Sequence, residues 1–85
     1  MNIIPNEITD QTSILDLSII IEREEQSQKV FQILNDAMES PLNDNSDMLQ
    51  MAIKFGQISL EDFFSNFVLP EKREGLISKI KKVLE

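Results

Sequence analysis

Only five residues in this chain force a change of direction: Pro5, Pro41, Gly56, Pro70 and Gly75. A β fold of similar size turns every several residues and draws on glycine and proline to do so. Two glycines and three prolines in 85 residues instead leave long uninterrupted stretches, and stretches of that kind suit helices. Cysteine and histidine counts are both 0. Disulfides are therefore impossible, and metal sites built on thiolate or imidazole are excluded. A chain this short buries only about two thirds of its unfolded surface, so packing and association are the means of stabilisation left to it. Hydrophobic residues make up 41% and charged residues 27%, which suits a folded domain rather than a disordered one.

Residues 1–12 combine Pro5, Asn6, Thr9 and Asp10 with Ile3, Ile4 and Ile8. They read as an extended arm, either frayed or docked through its isoleucines on the body or a partner. Ser13-Ile14-Leu15-Asp16 has the spacing of a helix-opening capping box. Apolar residues then recur at Leu17, Ile20, Ile21, Phe31, Leu34 and Met38 around a polar gap from Glu22 to Lys29. The gap contains no breaker, so a continuous helix of about 40 Å over residues 13–39 is expected. A break near Glu22 is the rival, and a short strand over 17–21 the more distant one.

Pro41 ends that helix near Glu39, because the residue before a proline avoids helical geometry. Asn45 or Ser46 is the expected cap of the next helix, with Asp47 in its first turn. That helix carries Met48, Leu49, Ala52, Ile53 and Phe55 on an apolar face and ends at Gly56. Ser59-Leu60-Glu61-Asp62 opens a short helix bearing Phe63, Phe64 and Phe67. Pro70 ends it or starts a last helix. In that last helix Glu71 and Glu74 fall early, Lys79, Lys81 and Lys82 late, and Leu76, Ile77, Ile80, Val83 and Leu84 form a stripe. Gly75 within it costs about 1 kcal/mol relative to alanine. The expected fold is all-α: a small bundle of three to four helices with a long first helix and an amphipathic C-terminal helix, residues 13–85 forming a single helical domain.

Charge is divided unevenly. Ten acids and two bases lie at or before Asp47, against five acids and six bases after it, for a net charge of −7. An acidic half of this kind points to a basic protein partner or to an antiparallel homodimer pairing residues 16–25 with 72–82. The same excess repels polyanions, so the lysine-rich end is not read as a nucleic-acid site. Asp16 and Glu22–Glu25 could instead imitate a row of phosphates, as in an acidic inhibitor. The longest apolar run, Ile19-Ile20-Ile21, is far shorter than the ~20 residues of a membrane span. Met1-Asn2-Ile3-Ile4-Pro5 lacks a basic secretory n-region, and a cytoplasmic location is expected.

No residue pattern announces chemistry. Nucleophilic pairs that need histidine or cysteine are absent. Neighbouring carboxylates such as Glu61 and Asp62 point apart on a helix. Two calcium-loop registers fail, one on Met48 at the turn-glycine position, the other on Met51, Ile53 and Phe55 at ligand positions. The chain contains no glycine-rich phosphate loop. No enzyme activity, metal or cofactor is expected.

Ile33-Leu34-Asn35-Asp36-Ala37-Met38, Ser40-Pro41-Leu42-Asn43 and Met48-Leu49-Gln50-Met51-Ala52 together resemble the needle subunits of bacterial type III secretion systems. Those are short helical hairpins with a proline- and asparagine-containing turn. The resemblance implies a structural or assembly subunit, or by analogy a chaperone of such an apparatus. Gly56 and Pro70 depart from it, since they would interrupt the long second helix of those subunits.

The residues alone point first to a small acidic, non-catalytic protein-binding module: an adaptor, chaperone or inhibitor. Its expected contact residues are Asp16, Leu17, Ile20, Ile21, Glu24 and Glu25 on the first helix, Phe63, Phe64 and Phe67 on the aromatic helix, and Ile77, Ile80 and Leu84 on the last. Apolar faces would supply contact area, and the acids would steer a basic partner.

Overall fold

The computed structural model describes residues 8–42 and 47–85. Ile3, Ile4, Asn45 and Ser46, which figure in the expectations above, lie outside the described residues. Among those residues the fold is all-α. It comprises α1 (Ile14–Ile20), α2 (Glu24–Ala37), α3 (Met48–Phe55), α4 (Leu60–Phe67) and α5 (Leu76–Leu84), with a 3-10 turn at Pro70–Lys72. Five helices stand where three to four were expected.

The extra helix comes from a break in the expected first one. Ile21 leaves α1 with ψ 111°, and Arg23 enters α2 with ψ 130°. No glycine or proline explains the break; size does. A straight helix over 13–39 would run about 40 Å, whereas the longest dimension of the molecule is 33 Å. Bending at Ile21 lets two apolar faces reach one core. Ile14, Leu17 and Ile21 enter it from one side, and Val30, Phe31 and Leu34 from the other. The polar segment after Ile21 remains at the surface.

Local capping follows the sequence closely. Asp16 N–H donates to Ser13 Oγ at 2.9 Å, and Asp62 N–H to Ser59 Oγ at 3.1 Å. The α3 cap is Asp47 itself, accepting from Leu49 N–H at 3.1 Å and Gln50 N–H at 3.4 Å. It therefore lies one position outside the helix turn first assigned to it. α3 closes on Gly56 at φ 65°, a region that disfavours side-chain-bearing residues. The last helix starts later than the sequence suggests. Gly75 adopts φ 81° and ψ 2°, and α5 begins only at Leu76. Gly75 thus precedes the helix instead of weakening its interior, and Glu71 and Glu74 lie before its first turn.

Two one-rung antiparallel pairings, Ser13 with Ser59 and Met38 with Val68, hold α4 at both ends. Leu60 N–H donates to Thr12 O and Ile14 N–H to Ile58 O, each at 2.8 Å. At the other end, Glu39 N–H reaches Phe67 O at 2.9 Å, and Leu69 N–H reaches Ala37 O at 3.0 Å. Arg73 completes the clamp. Its Nε donates to Val68 O at 3.1 Å and its Nη2 to Ser65 O at 3.0 Å. A cation on the last carbonyls of a helix is favoured by the helix dipole.

The core is wholly apolar among the described residues, with Phe63 as its largest fully buried side chain. Phe63 meets Phe55 edge-on at 4.9 Å between ring centres, and Phe67 tilts against Phe55 at 4.8 Å. Ile8, fully buried, joins this core ahead of α1.

Two stability changes are expected. Arg73→Ala removes the clamp on α4 and should lower unfolding free energy by about 1–2 kcal/mol, on the scale of hydrogen bonds from a charged donor. Arg23 caps α2 without a side-chain bond although its backbone is extended as a cap requires. Arg23→Ser should therefore raise stability by about 0.5–1 kcal/mol. Urea titration followed by circular dichroism measures both.

Candidate functional site

Each residue of an α-helix advances 100° around its axis. On α1 the buried Ile14, Leu17 and Ile21 mark the inward direction; Leu15 and Ile19 lie on one flank, Asp16 and Ile20 on the other. On α3 the buried Met48, Met51, Ala52 and Phe55 mark it; Leu49 and Ile53 lie on one flank, Gln50 and Lys54 on the other.

α1 and α3 pack against one another. They run antiparallel, because Leu15 N–H at the start of α1 donates to Gly56 O at the end of α3 at 3.1 Å. At the opposite end, Ser18, Ile21 and Glu22 share a shallow depression with Asp47 and Leu49. That depression places the Ser18 side of α1 beside the Leu49 side of α3. Leu15 and Ile19 follow Ser18 around that side of α1, and Ile53 follows Leu49 around that side of α3, so these residues border the seam between the two helices.

That seam collects an unusual set of side chains. Ile19 is 65% exposed, Leu49 57% and Ile53 69%, and these are the exposed large hydrophobics among the described residues. Isolated surface aliphatics are ordinary, but a contiguous group marks a contact surface. Fully covering each would contribute up to about 1.5–3 kcal/mol.

The Leu49 end of the seam is acidic. Glu22, Glu24 and Asp47 line the depression there together with Arg23. Asp16 lies exposed further along α1. Glu25 is engaged by Lys29, whose Nζ lies 3.3 Å from it one turn away. That surface pair contributes only about 0.3–0.5 kcal/mol.

A second depression, of about 270 Å³, lies between the end of α4 and the segment after α2. Met38, Phe55 and Phe67 line it with Glu39 and Lys54. A third is lined by Asp36, Glu71 and Glu74 together with Lys72 and Lys79. Lys72 Nζ donates there to Asp36 O at 3.1 Å. Among the described residues, no group of three metal-ligating acids could hold an ion, and no helix is long and apolar enough to cross a membrane.

The twelve contact residues expected from the sequence divide three ways. Leu17, Ile21, Phe63, Phe64, Ile80 and Leu84 are buried and belong to the core, with at most 8% of any of them exposed. The reason is that α4 and α5 turn their apolar faces to the core, and α1 turns Leu17 and Ile21 there while Ile19 stays outside. Ile20, Phe67 and Ile77 are half-buried and pack against that core. Asp16, Glu24 and Glu25 are exposed.

Ile19, Leu49 and Ile53 were missing from that set. A signal for them existed on α3, where Met48, Leu49, Met51, Ala52, Ile53 and Phe55 spread over more of the helix than one core-facing stripe requires. Phe63→Ala should lower stability by about 3–5 kcal/mol, whereas Ile53→Ser should change it by no more than about 0.5 kcal/mol. Thermal unfolding of the two variants checks that the seam lies outside the core. No protein-family model, curated protein or solved structure matches the chain.

Proposed function

We propose that this protein is a non-catalytic binding module whose contact surface for another protein is the α1–α3 seam. The observation that carries this reading is the exposure of Ile19, Leu49 and Ile53, each more than half exposed, on two helices that pack antiparallel. The net charge of −7, with Glu24 and Asp47 at the seam's end, selects a partner with a basic surface. Acids at the rim of an interface raise the association rate more than they deepen affinity. The apolar side chains supply the contact area that holds the complex once formed. The absence of cysteine and histidine from the sequence favours binding over catalysis.

A photo-crosslinking residue placed at Ile53 should capture a basic protein in the source cell, while the same residue at exposed Ser78 on α5 should not. For the purified pair, raising salt from about 50 to 500 mM should slow association at least tenfold, because exposed charges are screened beyond the Debye length. Ile19→Ser with Ile53→Ser should weaken binding at least tenfold with the fold intact. Equal capture from both positions, or binding indifferent to the double substitution, would reject the seam as the contact surface.

A further inference from the structure

We infer that the depression between the end of α4 and the segment after α2 is a binding site for a free aromatic amino acid, held as its zwitterion. The site is separate from the α1–α3 seam. Its lysine, Lys54, lies on the flank of α3 away from Leu49 and Ile53.

The floor of the depression is apolar and largely aromatic. Met38 and Phe55 are buried, half-buried Phe67 lines it beside them. The Phe55 and Phe67 rings lie 4.8 Å apart and are tilted by 54°. Two rings at that angle form a corner, and a third ring can pack there in the offset or edge-on arrangements that aromatic groups favour. The Met38 thioether adds a polarisable contact for the same ring. Size sets the class of ligand. A cavity of about 150 Å³ accommodates benzene, and drug-sized ligands occupy about 300–1,000 Å³. The 270 Å³ of this depression suits one ring with a small polar head.

The polar residues say what that head carries. Lys54 and Glu39 line the same depression, and among the described residues neither is in an ion pair. Lys54 Nζ lies 5.9 Å from the centre of the Phe55 ring, within the range at which a ring attracts a cation. Glu39 N–H donates to Phe67 O at 2.9 Å, which ties the backbone of the acid to the aromatic floor. Asn66 Nδ2 donates to Asp62 O at 2.8 Å, leaving Oδ1 as an acceptor, and Ser40 adds a hydroxyl. A ligand carboxylate would pair with Lys54, and a ligand ammonium with Glu39 and Asn66 Oδ1.

Simple ions match this lining less well. An aromatic acid would meet Glu39 and the repulsion of a chain with net charge −7. An aromatic amine would meet Lys54. One acid and one base at the same depression match a ligand that carries both charges and no net charge.

The test uses the intact protein with three probes: L-phenylalanine, N-acetyl-L-phenylalanine and L-phenylalaninamide. The second lacks the ammonium and stands in for a peptide carboxyl terminus. The third lacks the carboxylate and stands in for a peptide amino terminus. L-Phenylalanine should bind with a dissociation constant of about 1–5 mM, the scale for so small a ligand. Its amide shifts in two-dimensional NMR should concentrate at residues 38–40, 54–56 and 66–67. Each blocked form should bind at least fivefold more weakly. Lys54→Gln and Glu39→Gln, both at exposed positions, should each weaken L-phenylalanine at least fivefold with an unchanged circular dichroism spectrum.

Equal binding of N-acetyl-L-phenylalanine would overturn the free amino acid in favour of a peptide carboxyl terminus, and equal binding of the amide would do so in favour of an amino terminus. Shifts centred elsewhere, or none at ten times the expected dissociation constant, would overturn the site itself. None of these outcomes bears on the α1–α3 seam, whose crosslinking test stands apart.

Discussion

The fold depends on a helix that is too long for the domain it belongs to. Residues 13–39 contain no breaker, and their composition favours one rod. A rod of that length would carry its two apolar ends beyond any core this chain can build. The chain bends at Ile21 instead, gives up helical backbone at Ile21–Arg23, and gains burial for Ile14, Leu17 and Ile21 on the same core as Val30, Phe31 and Leu34. Local propensity is worth a few tenths of a kcal/mol per residue, whereas each large aliphatic side chain buried contributes about 1.5–3 kcal/mol. The difference decides the outcome, and its by-product is α1, a short helix free to lie antiparallel beside α3.

The remainder of the architecture fixes that arrangement. α4 is tied at its start to the residues preceding α1 and at its end to the residues following α2, so one short helix spans both halves of the broken one. Arg73 caps α4 from the far side of the 3-10 turn. α5 then covers α2, where Gln26 Nε2 donates to Val83 O at 3.4 Å, and Lys72 Nζ of the 3-10 turn donates to Asp36 O at the end of α2. With α2 and α4 so engaged, α1 and α3 keep outward residues, Ile19, Leu49 and Ile53, that stay exposed among the described residues.

Much of this was legible in the residues. Ser13, Ser59 and Gly56 mark helix ends through chemistry local to a few positions, so they can be read without knowing the fold. The all-α class follows from the scarcity of breakers. The bend at Ile21 could not be read, because its cause is the size of the finished core and not any residue near it. Gly75 was misplaced for a related reason: the stripe Leu76, Ile80, Leu84 is consistent with a start at Pro70 or at Leu76, and only the observed left-handed backbone separates them. The proposed contact surface was the hardest part. Periodicity identifies apolar faces but does not say which of them another helix will cover, so buried Phe63 and exposed Ile53 look alike in sequence.

The acidity of the chain and its exposed aliphatics explain one another. Three large aliphatic side chains on one seam would ordinarily promote self-association, since an uncovered apolar patch finds its own copy first. The net charge of −7 on each copy opposes that contact through overall repulsion. In the function proposed above, the same acids would speed encounter with a basic chain. One set of charges can thus keep the seam open and choose what closes it. Neutralising the acids alone would lose both effects together, whereas removing the aliphatics would leave an acidic surface that attracts basic chains without holding them.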